Sequence, residues 1–170
     1  FCQSAVTSAA FYPFSNSTLL GGCYNGQIIL WDIRAKSMPV QRSGISADSH
    51  KYPVCGLSVI GTQIANNIVS FSNDGMMCMW DPKQLSRPTR TNRLSAYRPV
   101  RQPAKTLTPS ANRSSLLRGD ESMASKASSI LEKTVKDELH DINITCSGFP
   151  TGDANNYYLG SLNGVLYRGS

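Results

Sequence analysis

The sequence predicts an all-β fold built from repeated antiparallel hairpins, and three observations lead to that class. Residues 19–32 align with residues 68–81, and both stretches contain a strand, a tight turn, a second strand and a closing Trp-Asp pair. The turns are Asn-Gly and Asp-Gly, the preferred pairs where both central residues of a hairpin need a positive φ. Short β-rich runs at residues 5–11 and 53–59 precede the two copies. Each unit therefore has at least three strands.

A third copy begins late in the chain. Residues 142–149 form its first predicted strand, and residues 157–161 lead into a turn at Asn163 and the following glycine. The turn glycines of the first two copies are 49 residues apart, whereas those of the second and third are 89 residues apart. The second interval therefore contains an insertion.

The repeat length identifies the architecture. A period of roughly 40–45 residues with four strands and a Trp-Asp ending is the pattern of a WD-repeat β-propeller blade. The sequence thus predicts a partial propeller, with two blades in residues 1–82 and the first strands of a third in residues 140–170. The positions expected to hold these repeats together are Asn25, Gly26, Trp31, Asp32, His50, Ser70, Ser72, Asp74, Gly75, Trp80, Asp81, Asn163 and Gly164.

Four side chains of the second copy are expected to form a structural hydrogen-bond network. Asp74 precedes Trp80 by six residues, the spacing that WD repeats use for this pair. The Trp indole is expected to fill the space between neighbouring blades and to donate its one N–H. His50, before the first strand, and either Ser70 or Ser72, on the second, complete the set. The other copies have Asn in the Asp position, which predicts weaker networks.

The segment between the second and third units, residues 83–139, is strongly basic. Residues 83–136 hold twelve of the 17 Lys and Arg and three of the 11 Asp and Glu, a local net charge of +9. From residue 81 to about residue 119 the chain is rich in Pro, Ser, Thr and Arg, which predicts a disordered surface loop. Apolar residues then recur every three or four positions, which predicts a short amphipathic helix at 120–139.

No catalytic, cofactor or metal site is predicted. A Ser, a His and an Asp also suggest a hydrolase triad, but the sequence has no Gly-x-Ser-x-Gly elbow, no phosphate-binding loop and no acidic metal cluster. His140, at the end of the predicted helix, is interpreted as a solvated or capping residue. We therefore expect a non-enzyme with no cofactor and no small-molecule substrate.

Cysteine usage and hydropathy indicate the cellular compartment in which the protein is expected. The five cysteines are spread along the chain without a Cys-x-x-Cys pair, and four lie in apolar, strand-like runs where a free thiol behaves as a small hydrophobe. This usage fits a reducing, cytosolic compartment. No apolar run approaches the ~20 residues that a membrane span requires. The chain begins at Phe1 with no signal sequence, as expected of an internal fragment.

A further set of short sequence matches lies outside the turns and Trp-Asp endings or extends beyond them. It comprises residues 1–6, 21–22, 24–32, 34, 39–42, 50, 53–54, 59–63, 67, 149–153, 155–156, 160–161, 164, 167 and 169–170. These segments resemble the cytoplasmic dynein intermediate chain family. Their Gly-Thr-Gln and Pro-Thr-Gly-Asp sequences lie outside the general WD-repeat pattern. The similarity covers roughly residues 1–86 and 140–170, and we expect it to fail across the basic insertion.

The resemblance implies a non-catalytic subunit of a microtubule motor complex. Its propeller would act as a scaffold that binds the dynein heavy chain, while light chains and dynactin would bind regions outside this chain. The expected location is the cytoplasm and the cytoskeleton. ATP hydrolysis would belong to the heavy chain.

Two alternatives follow from the same residues. The chain could be a WD-repeat scaffold of another pathway, which predicts a different set of partners. The basic insertion could also bind nucleic acid or an anionic membrane surface. It contains a single aromatic residue, Tyr97, which argues against recognition of single strands by base stacking.

Overall fold

The computed structural model describes residues 2–35, 38–98 and 138–170, and these residues contain strands and turns but no helix. The strands are β1 Val6–Phe11, β2 Thr18–Cys23, β3 Ile28–Asp32, β4 Gln41–Arg42, β5 Val54–Gly61, β6 Asn66–Ser72, β7 Met76–Trp80, β8 Arg90–Arg93, β9 Ser95–Arg98, β10 Glu138–Asp141, β11 Ile144–Gly148, β12 Tyr157–Ser161 and β13 Leu166–Gly169.

The strands form four antiparallel sheets. The first sheet has the order β1-β2-β3-β4 and the second has the order β5-β6-β7-β8. The third sheet has the order β11-β12-β13, and β9 and β10 pair in a separate two-stranded sheet. Each of the three larger sheets is a meander in which successive strands are neighbours. The all-β class predicted from the sequence is confirmed.

The three larger sheets share a bulge near the start of their first strand. The pairing register shifts between Val6 and Ser8, between Val54 and Gly56, and between Ile144 and Cys146. A bulge leaves one residue out of the ladder. In every case the side chain of that extra residue donates a hydrogen bond to a carbonyl of the second strand. These bonds join Thr7 to Gly22 (3.0 Å), Cys55 to Phe71 (3.4 Å) and Thr145 to Gly160 (3.1 Å). The Thr7 hydroxyl lies closer to the Val54 carbonyl of the second sheet, at 2.7 Å, and shares its one hydrogen between the two carbonyls.

The main core lies between the first and second sheets. Eight residues with at most 9% of their surface exposed contact one another there, and burial of their apolar surface is the principal stabilising effect. The first sheet contributes Leu20, Ile28 and Leu30, and the second contributes Val54, Ile68, Cys78 and Trp80, with Leu85 from the following turn.

Three aromatic rings join the second and third sheets. Phe71 lies 5.5 Å from Tyr157 and 6.2 Å from Phe149, and Phe149 lies 5.8 Å from Tyr157 between ring centroids. These distances fall in the range favoured by aromatic pairs. Burial raises the pKa of the Tyr157 hydroxyl. The third sheet is therefore packed on the second through aromatic side chains.

The structure corrects the prediction of a disordered loop over residues 81–119. The first part of that range contains β8, which completes the second sheet, and β9. The sequence of β8 gave no signal because both its faces are largely exposed and it carries Arg, Thr and Asn. Its pairing with β7 uses backbone groups, which every sequence provides. The remainder of the range lies outside the described residues.

The predicted helix at 120–139 is wrong at its C-terminal end. Glu138 to Asp141 form β10, which pairs with β9, and His140 lies in that strand. The rest of the predicted helix lies outside the described residues. Local apolar spacing indicated a helix, whereas pairing with a strand distant in sequence decides the backbone.

The third unit is more complete than predicted, and one of its residues is less buried. Its first strand begins at Ile144 rather than at residue 142, and β13 adds a third strand. Cys146, expected to be a buried hydrophobe, is exposed. None of the described elements is a helix long and apolar enough to cross a membrane.

Candidate functional site

The expected network of the second sheet is centred on Ser70. The His50 ring places Nε2 2.6 Å from Ser70 Oγ, and Trp80 Nε1 donates to the same oxygen at 2.8 Å. Ser70 Oγ thus accepts the indole N–H, and acceptors for its own hydrogen are present at His50 Nε2 and at the Cys78 carbonyl, 3.4 Å away.

The network lies in a closed environment. Ser70 and Trp80 have no exposed surface and His50 has 1%. Desolvation lowers the pKa of His50 to about 4, although the negative charge of Asp74 acts in the opposite direction. His50 Nδ1 faces Cys78 Sγ at 3.7 Å, and burial raises the pKa of that thiol to about 12. Both side chains are thus uncharged at neutral pH.

Asp74 organises the hairpin turn. Ser72 donates a hydrogen bond to Asp74 Oδ1, and the backbone N–H of Met76 approaches the same oxygen at 3.4 Å. The sequence left Ser70 and Ser72 as alternatives for one role. In the structure they have two roles, since Ser70 joins His50 to Trp80 and Ser72 joins β6 to the turn.

These two serines predict different losses on substitution. S70A removes the partner of both His50 and Trp80 in a fully buried site, and we expect the free energy of unfolding to fall by about 2–3 kcal/mol. S72A removes one bond at the turn, and we expect a loss of about 1 kcal/mol. Urea unfolding of the two variants measures the difference. Equal losses would contradict the assignment of Ser70 as the centre of the network.

The first sheet has the same register without the same polar groups. Trp31 pairs with Leu19 as Trp80 pairs with Ile68 in the second sheet. At the position of Ser70 stands Gly21, and Trp31 lies so close over it that a Cβ there would overlap the indole ring. The polar network is therefore replaced in the first sheet by direct contact between indole and backbone.

The turn of the first sheet also differs. Asn25 stands in the position of Asp74, and it exchanges hydrogen bonds with Gln27. Four residues before β1 stands Cys2, where His50 precedes β5 by four residues. The sequence comparison missed this position because it started at the hairpins and not at the segment before β1.

The third sheet departs further from the network. Leu159 stands in the position of Ser70 and Gly169 in that of Trp80. Tyr157, the cross-strand neighbour of Gly169, has its ring against that glycine. An aromatic ring thus occupies the same volume from the opposite strand. Asn163 is in the turn, and His140 precedes β11 by four residues.

The remaining predicted positions lie at turns. The glycines at the three hairpin turns, Gly26, Gly75 and Gly164, have φ of 84°, 82° and 73°. Each is the last residue of a three-residue loop, because its N–H donates to the carbonyl of the residue three positions earlier. The prediction that Asn-Gly and Asp-Gly are the two central residues of each turn is therefore wrong by one position. Asp32 forms a salt bridge of 2.8 Å with Arg34, which lowers the pKa of the carboxyl to about 2. Asp81 accepts the Lys83 backbone N–H at 2.9 Å. These groups fix local turns.

The Trp31 side of the first sheet is open. A surface cavity of about 450 Å³ lies there, and Ile33 beside it is 59% exposed. The corresponding side of the second sheet is the one that packs Trp80 against the first sheet. The cavity is lined mainly by apolar side chains, from Val6, Ala9, Leu19, Trp31, Asp32, Ile33 and Ala35.

A second groove is lined by both polar and apolar side chains, and some of its polar groups are hydrogen-bonded within the protein. It has a volume of about 620 Å³ between the ends of the first and second sheets. Gln41 in its wall accepts the Leu85 backbone N–H at 3.3 Å, and Tyr12 donates to Asn66. Within the described ranges, no group of three or more His, Cys, Asp and Glu is placed to hold a metal ion.

Comparison with known proteins supports the resemblance noted from the sequence. No protein-family model matches the chain. The cytoplasmic dynein 1 intermediate chain of Drosophila melanogaster is 35% identical over 170 residues, which is 99% of this chain and 20% of that relative. The chain therefore spans about one fifth of the relative's length. The alignment also covers the insertion, where the sequence segments alone predicted that the similarity would fail.

Proposed function

We propose, on the premise that this chain is homologous to a segment of a cytoplasmic dynein intermediate chain, that it is part of a non-catalytic subunit of the dynein motor complex. In this proposal its sheets are blades of a WD-repeat β-propeller that binds the dynein heavy chain. The single observation that carries it is the 35% identity along 99% of the chain. Light chains and dynactin bind the same subunit through regions outside this segment.

The propeller architecture is supported by the equivalence of the three larger sheets. All three have a bulged first strand and a hairpin turn with a positive-φ glycine. Trp80 packs the second sheet against the first, and Tyr157 packs the third sheet against the second. The two rings come from equivalent cross-strand pairs, Ile68 with Trp80 and Tyr157 with Gly169. The open Trp31 face is then the surface that a further blade of the whole protein covers, because an apolar cavity of this size is unfavourable in water.

The His50–Ser70 pair acts as a structural element in this proposal. A hydrolytic serine must meet its substrate in a cleft beside a donor site for the oxyanion. Ser70 has no exposed surface, and its oxygen is occupied by the indole N–H. The geometry that resembles part of a triad therefore holds two strands and a loop together. The subunit works in the cytoplasm on microtubules without turnover of its own.

Affinity purification of the full-length protein from its own cells tests the proposal. We expect dynein heavy and light chains to co-purify. The W80A variant should lose heavy chain and keep light chains, because only the propeller is damaged. The matched control Y24A changes an exposed side chain and should keep both. A stable partner set without heavy chain would favour a scaffold of another pathway and overturn the motor assignment.

A further inference from the structure

Two cysteines of the first sheet lie in contact at a place where the second sheet has a polar network. Cys2 Sγ is 3.9 Å from Cys23 Sγ. Cys23 is fully buried at the end of β2, and Cys2 is half-buried in the segment of residues 2–5, here termed the N-terminal strap. The two thiols thus join the strap to the β2–β3 hairpin.

The comparison between sheets shows why Cys23 is available. Ser72 ends β6 as Cys23 ends β2, and Ser72 is bonded to Asp74. In the first sheet Asn25 replaces the Asp and is bonded to Gln27 instead. The side chain at the end of β2 is therefore released from the turn and faces the strap.

The strap is held near Cys23 by two hydrogen bonds. The Tyr24 N–H donates to the Ala5 carbonyl at 2.8 Å, and the Asn25 N–H donates to Ser4 Oγ at 3.2 Å. Cys23 itself is fixed within the hairpin. A disulfide has a sulfur–sulfur distance of about 2.05 Å, so the sulfurs must approach by roughly 2 Å. The strap lies outside the strands of the sheet, whereas Cys23 belongs to β2, so Cys2 is the residue that moves.

We propose that Cys2 and Cys23 form a reversible disulfide when the protein meets hydrogen peroxide, and that this bond fastens the N-terminal strap to the first sheet. The strap occupies the position at which the second sheet is held by His50. A covalent link therefore replaces, in the first sheet, the hydrogen bond that His50 makes to Ser70.

The chemistry proceeds in two balanced steps. The Cys2 thiolate attacks one oxygen of hydrogen peroxide, the O–O bond breaks, and Cys2 becomes a sulfenic acid while hydroxide leaves. The Cys23 sulfur then attacks the Cys2 sulfur, the S–O bond breaks, and the hydroxyl leaves as water with the Cys23 proton. Two thiols are oxidised and one peroxide is reduced to two waters.

The surroundings of the two cysteines decide which of them reacts first with peroxide. Burial raises the pKa of the Cys23 thiol to about 12, and the charge of Cys2 raises it further in the same direction. Cys23 therefore stays protonated and Cys2 is the more accessible nucleophile.

Peptide mapping of the full-length protein tests the proposal. The reduced protein is titrated with hydrogen peroxide, free thiols are alkylated, and peptides are analysed without reductant. We expect a cross-linked peptide of Cys2 and Cys23, about 2 Da lighter than the two separate peptides and lost on treatment with dithiothreitol. Hydrogen exchange of the strap should slow on oxidation.

Three variants give the controls. C2S and C23S should abolish the cross-link, and C23S should fold because the second sheet carries Ser72 at this position. C146S removes an exposed thiol and should keep the cross-link. The proposal is overturned if Cys2 and Cys23 remain separately alkylated at a peroxide concentration that oxidises Cys146. It is also overturned if Cys2 is found linked to another thiol or oxidised to a sulfinic acid.

Discussion

W80A is expected to destabilise the second sheet more than any other single truncation. Trp80 has no exposed surface and contacts apolar side chains of both the first and second sheets. Truncating a buried Trp or Phe to Ala removes about 3–5 kcal/mol of stability through lost burial and an unfilled cavity. We expect a loss in this range in urea unfolding of the full-length protein, and faster hydrogen exchange in β6 and β7.

Two further variants separate the causes of that loss. W80F keeps most of the apolar volume but removes the indole N–H donated to Ser70, and we expect a loss of about 1–2 kcal/mol. W31A tests the open face of the first sheet. A loss similar to that of W80A means that another blade covers Trp31 in the whole protein. A loss below about 1 kcal/mol would contradict the proposed propeller.

The second large effect is a loss of stability on acidification. The pKa of His50 is about 4 in the folded protein, compared with an ordinary value of 6.5. Between these values the unfolded chain binds a proton that the folded protein excludes, so stability falls as the pH falls. The shifted pKa of His50 contributes about 3 kcal/mol to the free energy of unfolding. This contribution is fully present above pH 6.5 and is lost progressively as the pH falls to 4.

H50Q provides the comparison. Gln can accept the Ser70 hydrogen and does not titrate, so the variant should be less stable at pH 7 and should lose less stability between pH 6.5 and 4. Urea unfolding across this range measures both slopes. All other titratable groups are the same in both proteins, so their contributions cancel in the difference. Parallel slopes would show that His50 is not the group responsible.

The sequence indicated the hairpins and the repeat because their signals are local. Each turn ends on a glycine with a positive φ, a conformation that favours glycine, and the Trp-Asp endings of the first two copies recur at equivalent positions. The edge strands β4, β8 and β13 carry no such signal. They pair through backbone hydrogen bonds and are largely exposed, so their side chains do not alternate between apolar and polar.

The amino-acid sequence by itself determined the all-β class, the places of the hairpin turns and the candidate network of His50, Asp74 and Trp80, whereas the register of the hairpins came from the structure. Only the tertiary structure decided that Ser70 forms hydrogen bonds with both His50 and Trp80, and that the side chains of Cys2 and Cys23 are in contact. The physical reason is distance along the chain. Ser70 is 20 residues from His50, and Cys2 is 21 residues from Cys23. Such contacts depend on how the segment before a sheet folds back and packs on that sheet. No pattern of adjacent residues encodes this packing.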